Sequence, residues 1–261
     1  PVPEVLFYEG NSSIIGYEFY IMNYIKGEAP SDNPPYHLDP KGMMGRADSE
    51  KRRNVWIDWL FHLSNLHNLN LKDISLEDFY EENINENPVI SDIEYYKNFL
   101  DWGMDGEPNN LCDDVIKWLK KNIPSDSNPN KLCWGDSRLG NVLYQDYKAT
   151  ALLDWEMSSI GDPVSDLAWG FAVDDASSLG LGIKKLEGSL DSNEAIDIWE
   201  ENTNLSSKNY KFYRIFSLLK FSIIMIRVTK KLMINNIIEL EKDFYKNNYI
   251  SNFLEKEFKQ I

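Results

Sequence analysis

The chain has 261 residues, with 27 Lys and Arg against 42 Asp and Glu, and a net charge of −15 at pH 7. This length can bury a sizeable core and accommodates one large lobe with a smaller one. The negative balance opposes binding to a nucleic-acid backbone or an anionic membrane surface, so neither is expected as a partner. Cys112 and Cys133 lack metal-binding spacing, which predicts reduced structural thiols and a cytoplasmic location.

The first predicted elements are two strands, Val5–Tyr8 and Tyr17–Ile25, joined by a polar turn at Asn11–Ser13. The stretch from Gly27 to Pro40 is rich in Pro, Gly and Asp, which is typical of a linker. Most of the chain beyond it is predicted to be helical.

The helical predictions rest on apolar spacing and on capping residues. One helix starts after the N-cap Asp48 and ends at Asn68, and another contains Leu111, Val115, Trp118 and Leu119 and stops before Pro124. Three later helices are predicted. The first is capped by Ser192 and runs through Glu201, the second is a long buried helix at Tyr210–Met233, and the third is a charged surface helix at Asp243–Phe258.

A β-hairpin is predicted between the second and third of these helices. Val142–Tyr144 and Thr150–Leu153 have strand composition, and a four-residue loop would place 142 opposite 153 and 143 opposite 152. That register puts Asn141 beside Asp154 at the open end of the hairpin, and Asp136 lies on the loop that leads into it.

These three side chains suit one type of chemistry. Asp136 can accept a proton from an attacking hydroxyl, and Asn141 and Asp154 can hold Mg²⁺ against nucleotide phosphates. Any one of them alone would be read as an ordinary turn residue. The three together at this spacing favour metal-assisted phosphoryl transfer.

The segment Trp134–Asn141 resembles the catalytic loop of the aminoglycoside phosphotransferase family, a group with a protein-kinase-like fold that includes choline and homoserine-type kinases. Leu153–Glu156 resembles the metal-binding segment of that family, and Gly161–Ala168 also matches it. Arg138-x-Gly140-Asn141 is typical of the branch whose kinase domains are fused to acyl-CoA dehydrogenases. The resemblance implies an α+β, protein-kinase-like two-lobe fold with an incomplete N-terminal β lobe and a mainly helical C-terminal lobe that carries the catalytic β-hairpin.

The resemblance also implies a division of the chain and several residue roles. Residues 1–27 would be the remainder of the N-terminal nucleotide lobe with the hinge, and residues 28–261 the catalytic and substrate lobe. Asp166 would brace the catalytic loop. The hinge residues would hydrogen-bond adenine through backbone groups, unless they form a plain edge strand; they are Met22, Asn23, Tyr24 and Ile25.

Arg138 stands two residues after the proposed base, where many protein kinases carry a Lys that reaches toward the transferred phosphate. Its guanidinium would stabilise charge on the phosphoryl oxygens. The alternative is a surface Arg that pairs with a local carboxylate.

The chain departs from the family pattern in two ways. Relatives usually carry His immediately before Gly135, where this chain has Trp134. No Gly-rich loop, strand Lys or helical Glu is recognisable before Trp134. Gly180-Leu181-Gly182 lies downstream of Asp154 and is rejected as a nucleotide loop. The front of the nucleotide lobe is therefore expected upstream of residue 1.

Some further residues carry weaker signals. Lys220 and Arg227 lie two helical turns apart on an otherwise apolar helix, hence on one face, and burial requires that they have partners. Those partners are expected to be carboxylates of the chain or, alternatively, an acidic substrate group such as a carboxylate or a coenzyme A phosphate. His62 and His67 lack metal-site spacing and are predicted to be packing or capping residues.

These observations predict an ATP- and Mg²⁺-dependent O-phosphotransferase that phosphorylates a hydroxyl of a small metabolite. A hydroxy acid or hydroxyacyl-CoA is favoured over an aminoglycoside or an amino alcohol. The main alternative is a non-catalytic kinase-like binding module, which Trp134 and the missing Gly-rich loop would favour. A metal-dependent phosphohydrolase is a third possibility.

Overall fold

A two-stranded ribbon opens the structure, a computed structural model that describes residues 1–73, 87–235, 237 and 243–261. Strand β1 (Val5–Glu9) pairs antiparallel with strand β2 (Phe19–Met22). Both predicted strands are confirmed, but the second is shorter than the predicted Tyr17–Ile25. The chain turns at Gly16, which has a φ of +93° that suits glycine, and β2 begins only three residues later.

Apolar side chains of the ribbon are exposed on both of its faces. Successive strand residues point to opposite sides, and the consecutive Leu6, Phe7 and Tyr8 are 56%, 50% and 60% exposed. An exposed apolar patch of this kind marks a surface that contacts other groups. The division of the chain into a nucleotide lobe, residues 1–27, and a catalytic lobe, residues 28–261, stays a prediction.

Helices dominate the remainder, together with short strands. In chain order the elements are α1 (Met43–Arg46), α2 (Ser49–His67), α3 (Pro88–Met104), α4 (Asn110–Lys121), β3 (Lys131–Cys133), β4 (Val142–Gln145), β5 (Lys148–Leu152), β6 (Ser159–Gly161), α5 (Val164–Ala176), α6 (Ser192–Thr203), α7 (Tyr210–Ile234) and α8 (Tyr249–Phe258).

Helix α2 confirms its sequence prediction closely. The Asp48 side chain accepts a hydrogen bond from the Lys51 backbone N–H at 2.8 Å, which satisfies one of the free donors of the first turn. Asn68 is the C-cap. Residues spaced three and four apart, among them Trp56 and Trp59, are buried and fix α2 against the rest of the lobe.

Two helix boundaries differ from the predictions. Helix α6 is capped by Asp191, not Ser192. Helix α8 begins at Tyr249, six residues after the predicted start, because the Asn248 side chain caps the backbone N–H groups of Ile250 and Ser251. Phe253 and its neighbours are buried against α7, while Asn252, Glu255 and Lys256 are exposed, so α8 is amphipathic and presents a charged face to solvent.

The centre of the helical lobe is the packing of α5 against α7. Helices α3, α4 and α8 also pack on α7, while α2 packs on α6 and on the hairpin strand β5. Strands β3 and β6 pair antiparallel at the foot of α5. This arrangement places the catalytic-loop segment between α2, α5 and the hairpin. Among the helices of the described ranges, none combines the length and apolar character that crossing a bilayer requires.

Main-chain hydrogen bonds join the start of the chain to the hairpin of β4 and β5. The Glu28 N–H donates to the Tyr144 carbonyl at 2.9 Å, and the Tyr144 N–H donates back at 2.8 Å. The Leu152 N–H donates to the Pro1 carbonyl at 2.9 Å. Both hairpin strands are therefore attached to the first 28 residues.

Candidate active site

The β4–β5 hairpin is present, with a register one residue away from the prediction. Val142 lies opposite Leu152, not opposite residue 153. The turn has two residues, Asp146 and Tyr147, with φ values of +51° and +63°, the geometry of a type I′ turn. An irregularity between residues 143 and 144 takes up the extra residue of β5. Tyr rarely adopts positive φ, so no local pattern predicted this turn.

At the open end of the hairpin, the backbone of Asn141 nevertheless lies beside the residue that precedes Asp154. The Leu153 N–H donates to the Asn141 carbonyl at 2.8 Å. Asp154 follows with a φ of +60° and lines a cavity that Asp136 also lines. Within the described part of the chain, the Asp154 carboxylate accepts no hydrogen bond and forms no ion pair. Its oxygens are available to a ligand.

Asp136 is the most constrained carboxylate of the cavity. One oxygen, Oδ2, accepts from Asn141 Nδ2 at 2.8 Å, and the other, Oδ1, accepts from Trp169 Nε1 at 2.6 Å. Arg138 Nε lies 3.0 Å from Oδ2 and 3.2 Å from Oδ1. Asn141 Nδ2 also donates to the Asp136 backbone carbonyl at 2.9 Å, which closes the loop between them. No pattern in the sequence singles out Trp169.

Asp166 contacts the catalytic loop in the way the resemblance implies. Its carboxylate accepts hydrogen bonds from the backbone N–H groups of Trp134 at 2.6 Å and Gly135 at 2.8 Å. The Ser137 hydroxyl donates to the Asp166 backbone carbonyl at 2.6 Å. Because Asp166 is buried at the start of α5, it holds the loop against a rigid element.

His67 extends this contact toward α6. The Trp199 indole N–H, which can only donate, lies 2.9 Å from His67 Nδ1. Nδ1 is therefore the acceptor nitrogen, and Nε2 carries the proton that it donates to Asp166 Oδ2 at 3.1 Å. His67 is buried, as the packing prediction requires. Its partner lies 99 residues away, so the sequence carried no signal for this contact.

Replacing Asp166 with asparagine tests this brace. The amide keeps one acceptor oxygen for one of the two backbone N–H groups and turns its own N–H group toward the other, so we expect the free energy of unfolding to fall by about 2–4 kcal/mol. Asp191→Asn is the matched control, because that exposed N-cap accepts a single backbone N–H and Asn caps equally well. Urea unfolding of both variants gives the comparison, and equal losses would contradict the role of Asp166.

Trp134, which replaces the usual His, connects the catalytic loop to the segment of Asp154. Its indole N–H donates to the Leu153 carbonyl at 2.8 Å, and its ring lies 5.6 Å from that of Trp155. The side chain is fully buried. The substitution therefore leaves the loop attached to the following segment through a side-chain hydrogen bond.

Arg138 spans from the proposed base to the linker. Besides Asp136, its guanidinium pairs with Asp32, and both Arg138 and Asp32 line the cavity. The alternative that Arg138 pairs with local carboxylates is thus observed. A role toward a phosphoryl group stays a prediction.

A cavity of about 790 Å³ lies between the linker, the catalytic loop and the helices α3, α5 and α7. Charged groups occupy the side of the catalytic loop and of residues 154–156. Aromatic and aliphatic side chains of α3 and α7 also line the cavity, namely Tyr95, Tyr96, Phe99, Phe221, Ile224 and Met225.

The linker is fixed at the rim of this cavity by Asp174 of α5. His37 Nε2 lies 2.9 Å from Asp174 Oδ1 and Lys185 Nζ lies 2.7 Å from Oδ2, while the Tyr36 hydroxyl donates to Oδ1. Burial, reinforced by the Asp174 carboxylate, raises the pKa of Tyr36 well above its usual value, so the phenol remains a donor. The linker therefore holds a defined position beside the catalytic loop.

The predicted hinge residues lie outside this cavity. Met22 ends β2, the Asn23 N–H donates to the Glu4 carbonyl at 2.9 Å, and Tyr24 is 90% exposed. None of Met22, Asn23, Tyr24 and Ile25 is among the residues that line it. Their contact with adenine stays a prediction.

Lys220 and Arg227 lie on one face of α7, as their spacing predicts, and both contact α3, but the carboxylate partners expected for them are not found among the described residues. The Lys220 ammonium lies 5.2 Å from the ring of Tyr96 and 5.0 Å from that of Trp169, and the Arg227 guanidinium lies 3.8 Å from the ring of Trp102. Within the described residues neither forms an ion pair or lines the cavity. Aromatic faces attract cations and take the place of the expected carboxylates.

Lys220 also has a charged neighbour, Asp92. Burial raises the pKa of Asp92, and the positive charge of Lys220 opposes that rise. The two groups therefore influence each other without an ion pair. A contact between an acidic substrate group and Lys220 or Arg227 stays a prediction.

The side-chain oxygen atoms of Asn141 and Asp154 that accept no hydrogen bond from the described residues suit a magnesium ion. Asn141 uses its amide nitrogen on Asp136, so that Asn141 Oδ1, like the Asp154 carboxylate, has no donor among the described residues. Carboxylate and amide oxygens are ligands that Mg²⁺ prefers, and such sites use few protein ligands because substrate phosphates and water supply the others. The described residues contain no cluster of three or more His, Cys, Asp or Glu that would make an all-protein metal cage. The donor set fits a site shared with a nucleotide.

Comparison with known proteins agrees with this geometry. Residues 1–193 match the phosphotransferase enzyme family, and the chain belongs to that family. Acyl-CoA dehydrogenase family member 11 of Homo sapiens is 29% identical over 171 residues, covering 64% of this chain and 20% of that protein. The chain thus matches about a fifth of the length of that relative.

Solved structures show the fold. A candidate aminoglycoside phosphotransferase from Ralstonia eutropha superposes with a TM-score of 0.75 at 19% identity, covering 99% of this chain and 77% of that one. The choline kinase of Cryptosporidium parvum gives a TM-score of 0.62 at 13% identity, covering 99% and 73%. The predicted α+β, kinase-like fold and the family resemblance are confirmed. Family and fold together support a phosphotransferase.

Proposed function

We propose that this chain is an ATP- and Mg²⁺-dependent O-phosphotransferase that phosphorylates a hydroxyl group of a small molecule. The observation that carries the proposal is the shared cavity. Asp136, held by Asn141 and Arg138, faces the same space as the unpaired carboxylate of Asp154. Few protein groups are needed for phosphoryl transfer, because positioning and electrostatics carry most of the catalysis.

Each residue has a separate task in this mechanism. Asp136 accepts the proton of the acceptor hydroxyl and orients its oxygen. Asn141 Oδ1 and the Asp154 carboxylate would hold magnesium, and bound MgATP supplies the transferable phosphoryl group and neutralises its charge. Arg138 lies on the same wall and offsets negative charge that develops on the transferred group. Asp166 keeps the loop that carries Asp136 and Asn141 in place.

The lining of the cavity bears on the class of acceptor molecule. The side chains that α3 and α7 contribute to the cavity are aromatic and aliphatic, which suits the carbon skeleton of a hydroxy acid or hydroxyacyl compound better than a polycationic aminoglycoside. A screen that measures ATP consumption should therefore test hydroxy acids and hydroxyacyl-CoAs first, followed by amino alcohols and aminoglycosides. A cytoplasmic location remains a prediction from the sequence.

Removal of the Asp154 carboxylate tests the metal site. For the wild-type protein we expect millimolar MgATP to raise the melting temperature, and we expect Asp154→Ala to abolish most of that rise because a metal ligand is lost. Differential scanning fluorimetry with and without MgATP gives the readout. Asp197→Ala is the matched control, since Asp197 is likewise exposed and unpaired within the described residues but lies on α6, outside the cavity.

The outcomes separate the candidate functions. MgATP stabilisation without transfer to any acceptor would favour a kinase-like binding module. Phosphate release from phosphomonoesters without nucleotide would favour a phosphohydrolase. Full retention of MgATP stabilisation in Asp154→Ala would contradict the metal assignment.

A further inference from the structure

A tryptophan on α5 contacts the proposed base directly. Trp169 Nε1 lies 2.6 Å from Asp136 Oδ1. Trp169 is 3% exposed and lines the cavity beside Asp136. Because an indole N–H can only donate, the contact is a hydrogen bond to the carboxylate.

The position of Trp169 on its helix explains the contact. Residues three apart on a helix lie on the same face, and Asp166 precedes Trp169 by three positions on α5. One face of α5 therefore forms two sets of hydrogen bonds with the catalytic loop. Asp166 holds the loop backbone, and Trp169 holds the Asp136 side chain.

The hydrogen bond from Trp169 completes the restraint of the carboxylate. Asn141 donates to one oxygen of Asp136, Trp169 donates to the other, and Arg138 bridges both. An ionised carboxylate offers about four lone-pair sites, and the four contacts from these three donors restrain both of its oxygens. Without Trp169, both remaining donors belong to the loop of Asp136 itself, and no helix would fix the rotation of the carboxylate.

The Trp169 ring is itself held in place. Phe221 packs edge-on at a centroid distance of 6.2 Å, and the Lys220 ammonium lies 5.0 Å from the Trp169 ring. Lys220 also faces Tyr96 and Phe216 at 5.2 and 5.7 Å, and within the described residues it forms no ion pair. Its charge is thus directed at aromatic faces, one of which is that of Trp169.

We propose that Trp169 is a positioning residue that orients the Asp136 carboxylate toward the acceptor hydroxyl, and that Lys220 secures the Trp169 ring. This inference rests on the proposed function. It differs from a substrate-binding role for Lys220, because a positioning role acts on the rate of transfer and leaves the affinity for the acceptor unchanged.

Trp169→Phe keeps an aromatic ring beneath Lys220 and removes only the hydrogen bond. We expect kcat to fall about 10- to 100-fold, because small misplacement of a reacting group has effects of this size, with the KM values for ATP and acceptor within twofold of wild type. Trp118→Phe is the control: Trp118 lies on α4 away from the cavity, and its indole N–H donates to no described residue. We expect its kcat to equal that of wild type.

Lys220 is tested by a pair of variants. Lys220→Met removes the cation while keeping the length of the side chain, and we expect kcat to fall several-fold with the KM for acceptor unchanged. Lys220→Arg restores a cation over the rings and should recover most of the rate. A rise in acceptor KM with normal kcat in Lys220→Met would overturn the positioning role and support substrate binding.

A spectroscopic measurement tests the contact without activity. In a ¹H–¹⁵N spectrum of protein labelled at tryptophan, the indole signal lost in Trp169→Phe identifies Trp169. We expect this signal to exchange slowly and to shift strongly in Asp136→Ala, and an unchanged position would overturn the contact. A wild-type protein that transfers phosphate to no acceptor would overturn the proposed function, whereas an active wild type with an equally active Trp169→Phe would overturn this inference alone.

Discussion

Asp136→Asn is expected to lower kcat about 1,000-fold, within the range that a positioned general base contributes, while MgATP still raises the melting temperature. The amide keeps the shape of the side chain but cannot accept the proton of the acceptor hydroxyl. Asn141 and Asp154, the proposed metal ligands, are unchanged. Steady-state kinetics on the best acceptor of the screen, together with the fluorimetric shift, measure both properties.

The two measurements distinguish loss of the base from a general disturbance of the site. Loss of activity with normal MgATP stabilisation identifies a defect in the chemical step, whereas loss of both would indicate a disturbed site. An unchanged rate of transfer in Asp136→Asn would refute the assignment of Asp136 as the base.

The second large effect is expected at Gly135. This residue has a φ of +86°, and a Cβ placed on it would lie 1.9 Å from the Met157 carbonyl oxygen and 2.4 Å from the Met157 carbonyl carbon. Both are backbone atoms and cannot move aside as a flexible side chain would. We expect Gly135→Ala to reduce the free energy of unfolding by about 4 kcal/mol or more, the range of severe core defects, as measured by urea unfolding.

A second glycine separates the two causes of that loss. Gly182 has a similar φ of +70°, but no heavy atom lies within 4 Å of the position of a Cβ. Gly182→Ala therefore reports only the backbone cost of a left-handed conformation, about 1–2 kcal/mol. If Gly135→Ala were no more destabilising than Gly182→Ala, close packing against Met157 would not be the reason for glycine.

The candidate site was predictable to the extent that its residues follow one another in the chain. Asp136 and Asn141 are five residues apart and are joined by a short loop, so that their spacing predicts their contact. Asp154 follows after a hairpin whose existence, though not its register, is visible in the strand composition. The family resemblance identified Asp166 through the residues around it.

The features of the site that could not be predicted depend on contacts between residues far apart in the sequence. Trp169 and His67 meet their partners only after α5 and α2 have packed beside the loop, and no local pattern encodes that. The register of the hairpin was missed because Tyr147 occupies a conformation that its residue type disfavours. Lys220 was expected to need an acidic partner, since a sequence does not reveal that aromatic rings will surround an ammonium group.

The attachment of the first residues to the hairpin has a mechanical consequence. Pro1 and Glu28 are each bonded through the main chain to one of its strands, and Gly27 leaves so little space that a Cβ there would lie 2.9 Å from the Leu143 side chain. Tilting of the β1–β2 ribbon as a rigid body would pull on the strand that leads into Asp154. Displacement of the ribbon would therefore strain or break the main-chain hydrogen bond that Leu152, two residues before Asp154, donates to Pro1.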